Sequence, residues 1–574
     1  MFKKVLKPFF QNNFLLFLIL VVGSISWSLV MFKSGLVYPF GMGFWGANGH
    51  DGVWHIAIIN SLAKGSWQMP VFAGEVLRNY HFGFDLVVAA LFVISKIPIQ
   101  NLYFQVIPPL LAIAIGGLTY LFVKQVSSKS SALWSVFFVY FGGSLGWLVT
   151  LVRTGEIGGE SMFWAQQAVS TLINPPFALS LLILLLGLIL LTKLEKGLNT
   201  VYFLIVIFLF GLVGQVKVYA GILVICGLFV LALYSFLKDK KVFHLKIFLG
   251  ASLVFVITLF PFLKNSSNFL ILNPFWFLET MMGLSDRFYW PKFYEAMVNY
   301  RLGNIWLKGG IAYFVAFIIF WYGNLGTRAV SEIVLAKWLL EFKKLQSWQV
   351  FIGTIIFLGV LIPLAFVQKG TPWNTIQFFY YSLFFLALLG GIGMEVINKK
   401  INLKARIISS CAIVFFTLPT TISTLWSHYL PARPPTKLSH AELAALDFLS
   451  KEPEGIILTY PFDKQKAKEA LIDPPRPLYL YESTAYVSAF SGKSVYLEDE
   501  VNLEITGYNW QERREKVENF LQTADKNVAR LFLIENSISY IYWIKGQRAL
   551  LGEGQLGLVK IFENEEVDIY KVVK

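Results

Sequence analysis

The stretch FLLFLILVVGSISWSLVMF, which runs from Phe14 to Phe32, decides the fold of this chain. An α-helix rises about 1.5 Å per residue, so roughly 20 apolar residues in a row cross the ~30 Å hydrocarbon core of a bilayer. The chain holds eleven such runs and therefore predicts about eleven transmembrane helices. After Phe14–Phe32 they are Val106–Val123, Ala132–Val152, Phe177–Leu191, Val201–Val216, Val218–Leu237, Val242–Phe262, Ile311–Tyr322, Val350–Val367, Phe378–Ile397 and Ile407–Leu425.

The composition supports a membrane protein. Of the 574 residues, 56% are apolar and only 15% are charged, whereas a soluble domain carries about 25% charged residues. The apolar runs are continuous rather than alternating, which indicates helices and not barrel strands. The formal net charge of +14 suits anionic lipid headgroups and requires no nucleic-acid partner. Cys226 and Cys411 both lie inside apolar runs, so they indicate neither a disulfide framework nor a zinc site.

The distribution of lysine and arginine predicts the orientation, because cytoplasmic loops are enriched in both. Lys3, Lys4 and Lys7 place the N-terminus in the cytoplasm, as an uncleaved signal anchor. With eleven spans, nearly every short cationic loop falls on the cytoplasmic side, including the loop that begins near Arg328, and the C-terminal region falls outside. Residues 329–346 of that loop are predicted to lie flat on the inner surface. Leu86–Ile94 is too short to span and predicts an interfacial or re-entrant segment. The external segments are 33–101, 153–176, 264–310 and 368–374.

The chain turns polar after its last apolar run, which predicts two domains. Residues 1–426 form a transmembrane domain, and residues 427–574 form a soluble extracytoplasmic α/β domain. Within the latter, Ser439 and Glu442 have the spacing of a capping box that opens a helix. We further predict helices at Glu512–Leu521 and Val528–Ile534 and strands at Gly455–Tyr460, Ile538–Ile544 and Val567–Val573. The domain has no glycine-rich phosphate loop, which argues against nucleotide binding.

The first external loop, NGHDGVWHIAIINSLAKG from Asn48 to Gly65, carries the most informative polar residues. Asp51 opens an apolar segment, where a carboxylate either caps a helix or simply forms a turn with Gly52. His55 follows four residues later and would share a helix face with Asp51, as an acid–base pair or as two metal ligands. Two groups do not complete a metal site, so the spacing leaves a divalent metal open. His50 flanks the carboxylate.

Further polar residues follow in the same loop. Arg78, His81 and Asp85 supply a cation, an imidazole and a carboxylate just before Leu86–Ile94. They are candidates for binding a substrate. The alternative is a solvated interface with aromatic anchors.

The second external loop offers two carboxylates among glycines, Glu156 and Glu160. They are candidate catalytic residues. Loop acids without a function are simply solvated, and the sequence leaves that alternative open.

Cationic and aromatic residues mark three other places on the same predicted face. Lys217 and Tyr219 lie at the tip between two apolar runs, where a cation marks a function or snorkels to the surface. Lys369 and Trp373 lie in a short external loop, and Arg287 lies in an aromatic-rich one. Lysines at external helix ends suit a lipid phosphate, and tryptophan or tyrosine suits a sugar ring.

The whole layout resembles the GT-C superfamily of integral-membrane glycosyltransferases, which includes oligosaccharyltransferases, protein mannosyltransferases and aminoarabinose transferases. The likeness covers residues 1–425 as architecture: one span, a long first external loop with a carboxylate at Asp51, a second acidic loop at Glu156 and Glu160, and a soluble C-terminal domain. It implies Asp51 as a base and Lys217 or Lys369 as ligands of a polyprenyl-phosphate sugar. Many members carry two acids in the first loop, whereas here Asp51 stands between His50 and Gly52.

These features predict a glycosyltransferase of the cell membrane. It would move a sugar from a polyprenyl-phosphate carrier to a glycan, lipid or protein acceptor at the extracytoplasmic face, with membrane lipid as a partner and no certain cofactor. A transporter or lipid flippase is the alternative, although such proteins place ionisable groups near the midplane and show repeated halves. A polysaccharide ligase or polymerase would differ mainly in its acceptor.

Overall fold

The structure is a computed structural model that describes residues 2–197, 199–264, 270–470 and 474–573, with the backbone alone for residues 2–13. Within these ranges, nine helices are long and apolar enough to cross a membrane. The helical pair Lys129–Phe141 and Gly146–Thr154, bent by 48°, makes a tenth if it is counted as one span. The chain is a multi-pass α-helical membrane protein. The nine are Phe14–Phe32, Ile99–Val126, Pro175–Leu194, Val218–Asp239, Phe243–Phe262, Trp306–Leu340, Ser347–Ala365, Pro372–Lys400 and Leu403–Tyr429.

The remaining predicted span, Val201–Val216, is the helix Thr200–Val216, which has 17 residues. It is slightly shorter than the other spans. Each of the eleven predicted runs lies in an apolar helix, but by length and composition only nine helices of the described residues, or ten with the bent pair, could cross a membrane. Leu86–Ile94 lies in the 13-residue helix Gly83–Ser95, too short to cross a bilayer by itself. Short helices at Trp276–Gly283 and Pro291–Leu302 lie between two spans.

The contacts divide the chain into two compact units. The first comprises Met1–Val30, Pro108–Pro261 and Ser267–Leu430, and the second comprises Met31–Ile107, Phe262–Ser266 and Pro431–Lys574. The division near residue 430 lies close to the predicted boundary at residues 426 and 427. The residues of the first external loop belong to the second unit, together with the C-terminal region.

The first unit, here called the membrane unit, is built around the helix Gln377–Lys400. Its membrane-crossing window is 72% buried inside the protein, whereas that of Phe243–Phe262 is only 17% buried. Small residues let helices approach this centre: a Cβ on Gly391 would lie 2.2 Å from the Ser135 hydroxyl. The same hydroxyl donates a 2.7 Å hydrogen bond to the Leu388 carbonyl. In lipid, such close packing replaces the hydrophobic effect as the source of helix association.

Arg328 immediately precedes residues 329–346, whose position on the cytoplasmic surface stays a prediction. The chain is helical at Trp306–Leu325, turns through the 3₁₀ segment Gly326–Ser331 and continues as the helix Glu332–Leu340. Arg328 is only 2% exposed. A basic residue was read as a loop marker, but protein oxygens within the unit accept its hydrogen bonds and allow it to be buried.

The second unit, here called the soluble unit, contains two four-stranded sheets. One has the order Ile456–Thr459, Ile538–Ile544, Val567–Val572 and Leu558–Glu563, with a parallel first pair and antiparallel neighbours after it. Helices His440–Lys451, Trp510–Gln522 and Lys526–Glu535 belong to the same unit. Ser439 and Glu442 form the predicted capping box. The α/β prediction is confirmed, with the strand Leu558–Glu563 in addition.

The other sheet joins the first loop to the C-terminal region. Its order is Val37–Tyr38, Gly41–Phe44, Thr436–Leu438 and Arg476–Pro477. Gly41–Phe44 pairs antiparallel with Thr436–Leu438 in the register Met42 to Leu438. Gly41 has a φ of +111°, and a Cβ there would lie 2.2 Å from the Leu438 carbonyl oxygen. Glycine therefore permits this close approach of two distant segments.

The helix Asp51–Ala63 completes the connection inside the soluble unit. The Asn60 amide donates a 2.8 Å hydrogen bond to the Ala489 carbonyl, and Lys64 Nζ donates one of 2.6 Å to the Gly492 carbonyl. The C-terminal end of this helix is therefore held against the segment that immediately precedes the acidic residues Glu498, Asp499 and Glu500. Other helices of the unit are Gly83–Ser95, Lys464–Glu469, Tyr486–Ser491, Glu500–Thr506 and Glu553–Leu556.

Candidate active site

Asp51 is the first residue of the helix Asp51–Ala63, and His50 is the residue that precedes it. His50, and not Asp51 as one alternative predicted, occupies the N-cap position, and the His50 side chain makes no capping hydrogen bond. Instead, Asp51 Oδ1 lies 2.9 Å from His50 Nδ1. The Asp51 side chain is 49% exposed, whereas that of His50 is 11% exposed. The carboxylate is thus held on one side by the imidazole and open to solvent on the other.

The second ring nitrogen of His50 faces another carboxylate. His50 Nε2 lies 3.4 Å from Asp499 Oδ1, and the Asp499 side chain is fully buried. This distance is long for a hydrogen bond, so we describe the contact as an ion pair. Asp499 has a φ of +51° and caps the helix Glu500–Thr506 by accepting from the Asn502 backbone N–H at 3.1 Å. A helix end and a left-handed residue together fix the position of the Asp499 carboxylate.

The surroundings of His50 favour its positively charged form. Burial acts to lower the pKa of His50, but the charges and hydrogen bonds of Asp499 and Asp51 outweigh it and raise the pKa well above its usual value. The site is therefore a cation between two carboxylates.

Glu482 adds a further acid. Burial raises the pKa of Glu482, His50 lowers it, and the charges of Asp51 and Asp499 raise it. All four groups are therefore close enough to influence each other's ionisation. No local pattern predicts this cluster, since Glu482 and Asp499 lie more than 400 residues after His50 in the chain.

His55 does not pair with Asp51 as predicted. Its Nδ1 lies 2.7 Å from Asp85 Oδ1, with His55 5% exposed and Asp85 fully buried. The Tyr103 ring stacks on His55 with centroids 5.6 Å apart, and Tyr80 lies on another side. This buried pair joins the helices Asp51–Ala63 and Gly83–Ser95. His55 and Asp85 therefore help to hold in position the helix that begins at Asp51.

Among the residues for which the structure gives side chains, no three histidine, cysteine or acidic groups are arranged to hold a metal ion. We therefore derive no chemical step through a metal.

The other predicted residues of the first loop are structural neighbours of the C-terminal region. The Arg78 guanidinium lies 4.5 Å above the Tyr508 ring, and the Arg78 backbone N–H donates to the Tyr508 hydroxyl at 3.1 Å. His81 is 9% exposed and stacks on Tyr80 with centroids 4.6 Å apart. Neither is a solvated interface residue, which was the alternative prediction.

The membrane unit holds a second group of predicted residues around Lys217. Lys217 is 4% exposed, and its Nζ lies 3.4 Å from Asn174 Oδ1 and 5.4 Å from the centre of the Tyr219 ring. The Tyr219 hydroxyl donates a 2.7 Å hydrogen bond to Gln368 Oε1. Lys217 is thus a buried cation among polar groups and does not snorkel to the surface. Lys369 and Trp373 follow Gln368 closely in the chain and are both exposed.

The two predicted acids of the second loop differ. Glu156 is exposed. Glu160 Oε1 accepts from the Gln167 backbone N–H at 2.9 Å. Burial raises the pKa of Glu160, and hydrogen bonds from Ser170, Gln167 and Thr424 partly offset the effect. The Arg287 guanidinium lies 4.1 Å from the centre of the Trp164 ring, and Trp164 follows Glu160 by four residues in the chain.

Comparisons with solved structures bear on this fold. The archaeal oligosaccharyltransferase AglB from Archaeoglobus fulgidus, in complex with an inhibitory peptide and a dolichol-phosphate, aligns with a TM-score of 0.52 and 11% identity over 93% of this chain and 70% of that chain. The same enzyme tethered to an acceptor peptide gives 0.52 and 11% over 94% and 70%. This chain has the fold of the archaeal oligosaccharyltransferase. The predicted GT-C resemblance is confirmed as a resemblance of fold.

A structure of ArnT from Cupriavidus metallidurans bound to undecaprenyl phosphate covers 97% of this chain and 98% of its own at 12% identity, but its TM-score of 0.38 is too low to support an argument. No protein-family profile and no curated protein sequence matches the chain.

Sequence reasoning missed Asp499, Glu482, Asp85 as a partner of His55, and Arg328. One signal was available: Glu498-Asp499-Glu500 is a run of three acids in an otherwise mixed region. Three adjacent carboxylates repel each other unless each has its own partner. Here Glu498 accepts backbone N–H groups of Val487 and Ser488, Asp499 faces His50, and Glu500 pairs with Arg514.

Proposed function

We propose that this chain is a glycosyltransferase that moves a sugar from a polyprenyl-phosphate carrier to an acceptor, with Asp51 as the base. The observation that carries the proposal is the half-exposed Asp51 carboxylate held in place by a buried, charged His50. The likeness of fold to an oligosaccharyltransferase whose structure contains a dolichol-phosphate supports a lipid-linked donor.

The proposed reaction begins with the acceptor. Asp51 takes a proton from the acceptor nucleophile, which attacks C1 of the sugar, and the bond from C1 to the phosphate oxygen breaks. The carrier phosphate leaves with the bonding electron pair, and the lysines proposed below as its ligands stabilise its charge. The proton ends on Asp51 and returns to solvent through its exposed side.

The neighbours of Asp51 support its role as a base. A lone cation beside a carboxylate weakens its tendency to take up a proton, because it favours the charged form. Asp499 and Glu482 offset the charge of His50, so the imidazolium orients Asp51 without fully suppressing its basicity. His50 and Asp499 act as positioning residues for Asp51 in this proposal. His55 acts less directly, because its pairing with Asp85 fixes the helix Asp51–Ala63.

The residues of the membrane unit supply the proposed donor site. Lys217 is proposed to bind the carrier phosphate, because it is a buried cation beside Tyr219, and Lys369 is proposed as a second phosphate ligand. Trp373 and Tyr219 are proposed to contact the sugar. Arg287 is a further candidate for the phosphate, and Glu156 and Glu160 are proposed as additional catalytic acids.

Arg78 and His81 belong to the other unit and are proposed to contact the acceptor.

The charge distribution supports an extracytoplasmic reaction at the cell membrane. With the cationic short loops in the cytoplasm, Asp51 and the C-terminal region face outward. The acceptor is proposed to be a glycan, lipid or protein that reaches this face.

The function is tested by removing the protein from its native cells and analysing membrane lipids by mass spectrometry. Loss of a transferase leaves its donor unused, so a polyprenyl-phosphate sugar accumulates and one envelope glycan loses a sugar. The wild-type gene reverses both changes. Unchanged lipid-linked sugars and glycans in the deletion cells would contradict the proposal.

A further inference from the structure

Two acidic residues of the soluble unit share one serine. Ser439 Oγ donates a 2.5 Å hydrogen bond to Glu566 Oε2, and the Ser439 backbone N–H donates to Glu442 Oε2 at 3.3 Å. Glu442 lies in the helix His440–Lys451, whereas Glu566 directly precedes the strand Val567–Val572. Glu442 is fully buried. Its other oxygen, Oε1, has no hydrogen-bond partner among the described residues.

These surroundings favour the neutral form of Glu442. A buried carboxylate needs a donor for each oxygen or a paired cation, and the acid on the other side of Ser439 repels a second negative charge. Burial raises the pKa of Glu442 to about 7, and the charge of Glu566 acts in the same direction, whereas hydrogen bonds from Ser439 and the charge of Lys437 oppose both. Glu442 therefore holds a proton below this pH and loses it above.

The other ionisable groups around Glu442 cannot neutralise it after this proton is lost. The charge of Glu442 acts on Tyr479, Tyr486 and Tyr542, which lie on three other elements, and burial raises the pKa of each phenol further above its ordinary value. Glu498 acts on Tyr486 and Tyr542 as well and is itself an acid. Ionisation of Glu442 thus adds negative charge to a region that already contains acids and neutral phenols.

Ser439 is also connected to the segment that leads to Asp51. It follows the strand Thr436–Leu438, which pairs with the strand Gly41–Phe44 of the first loop. A Cβ on the first residue of Gly41–Phe44 would lie 3.0 Å from Ser439 Cα, and a Cβ on Gly49 would lie 2.6 Å from a methyl carbon of the first residue of Thr436–Leu438. Gly49 is two residues before Asp51. A displacement of Ser439 is therefore transmitted to this segment.

We propose that Glu442, Ser439 and Glu566 form a pH-sensitive latch that holds the strand Thr436–Leu438 and, with it, the first-loop segment before Asp51. With the proton on Glu442, the serine ties the two acids together. When the proton leaves to solvent, the two carboxylates repel each other and Glu442 requires water, so Ser439 moves and the first-loop strand loosens. The latch goes beyond the proposed transfer reaction, in which none of its three residues takes part.

The test measures hydrogen–deuterium exchange of the full-length protein in lipid nanodiscs from pH 6 to pH 9, by mass spectrometry. Exchange is expressed as protection factors, which correct for the intrinsic effect of pH on the exchange rate. Protection of residues 36–50 is expected to fall about tenfold over this range, whereas protection of the helix Trp510–Gln522 in the same unit stays constant. An equal fall in both segments, or constant protection of residues 36–50, overturns the inference.

Variants assign the effect to the latch. Glu442→Gln cannot ionise but keeps the capping box, in which glutamine serves as well as glutamate, so protection of residues 36–50 should no longer depend on pH. Asp447→Asn, an exposed acid of the same helix, is the matched control and should behave as wild type. If Glu442→Gln does not fold, Glu566→Gln removes the other charge of the pair and should also weaken the dependence. A wild-type dependence in the folded glutamine variant contradicts the inference.

The consequence for catalysis rests on the proposed function. With Asp51 as the base, wild-type transfer should fall over the same pH range as the protection of residues 36–50, and Glu442→Gln should retain at pH 9 the activity that it has at pH 6. Loss of protection in a protein without transfer activity would support the latch and contradict the proposed function. An equal fall of transfer in wild type and in Glu442→Gln would show that the latch does not control Asp51.

Discussion

Asp499 Oδ1 lies 3.4 Å from His50 Nε2, which ties a buried acid of the C-terminal region to the residue before Asp51. This relationship gives the C-terminal region a part in the candidate site, since Asp499 controls the charge of the imidazole that holds Asp51. It also explains why the first loop packs with distant sequence in the soluble unit.

Removing the Asp499 charge should change the ionisation of His50. In Asp499→Asn, one of the two carboxylates that raise the pKa of His50 is lost, so that pKa should fall toward its ordinary value. Wild-type activity should then lack a His50 titration near neutral pH, whereas the variant should show a new step there and roughly tenfold lower activity. The measurement is the pH profile of sugar transfer, and Asp447→Asn, an exposed acid of the same unit, is the control. A profile identical to wild type would reject the positioning role.

Glu498 should make the folded protein less stable as the pH rises. Burial raises the pKa of Glu498 to about 8, against an ordinary value of 4.5. The folded state therefore binds more protons than the unfolded state between these values, and its stability is present below pH 4.5 and falls as the pH rises through about 8. Glu442, with a pKa raised to about 7 by burial, acts in the same direction.

Glu498→Gln should flatten this dependence of the melting temperature on pH, because the variant carries no carboxyl group that can ionise. The measurement is thermal unfolding in detergent from pH 5 to pH 9. Glu512→Gln, an exposed acid paired with Lys516, should leave the curve unchanged. If the two variants give the same curve, Glu498 is not responsible.

The buried pair of His55 and Asp85 should contribute more to stability than a surface pair. Asp85→Ala leaves a buried imidazole without this acceptor, at a cost of about 1–3 kcal/mol. The exposed pair of Lys451 and Asp447 should contribute less than about 1 kcal/mol. Thermal unfolding of Asp85→Ala beside Asp447→Ala compares them, and equal losses would show that His55 does not depend on Asp85.

Substitution of Lys217 should change the KM for the lipid-linked donor rather than the KM for the acceptor. Because Lys217 is buried among polar groups and Lys369 is exposed, Lys217→Gln should raise the KM for the lipid-linked donor tenfold or more, and Lys369→Gln should raise it less. Steady-state kinetics with varied donor and fixed acceptor measures both. A change confined to the KM for the acceptor would remove Lys217 from the donor site.

The sequence was sufficient for the parts of this fold that lipid dictates. A span must be continuously apolar, so Phe14–Phe32 or Val350–Val367 is visible without tertiary information. Capping chemistry is equally local, and Ser439 with Glu442 was predicted correctly. The strands Val37–Tyr38 and Gly41–Phe44 were missed because two to four residues are too few to show alternation.

The site was predictable only in part, for a physical reason. Asp51 and His50 are adjacent in the chain, but Asp499 and Glu482 reach them through tertiary packing, which leaves no periodic trace. His55 was assigned to Asp51 because helical spacing places them on one face, whereas packing against the helix Gly83–Ser95 gives it Asp85. Arg328 was read as a loop cation, because sequence alone does not show that neutral oxygens of Gln167 and Asn324 accept its hydrogen bonds inside the protein.

The most direct test of the central claim is the transfer activity of Asp51→Asn, reconstituted in liposomes with membrane-lipid extract from the deletion cells as the donor source. An amide of nearly the same shape cannot act as a base, so transfer should fall at least a hundredfold, with folding confirmed by thermal unfolding and with Asp447→Asn fully active. Wild-type transfer by a folded Asp51→Asn protein would contradict the claim that this carboxylate activates the acceptor.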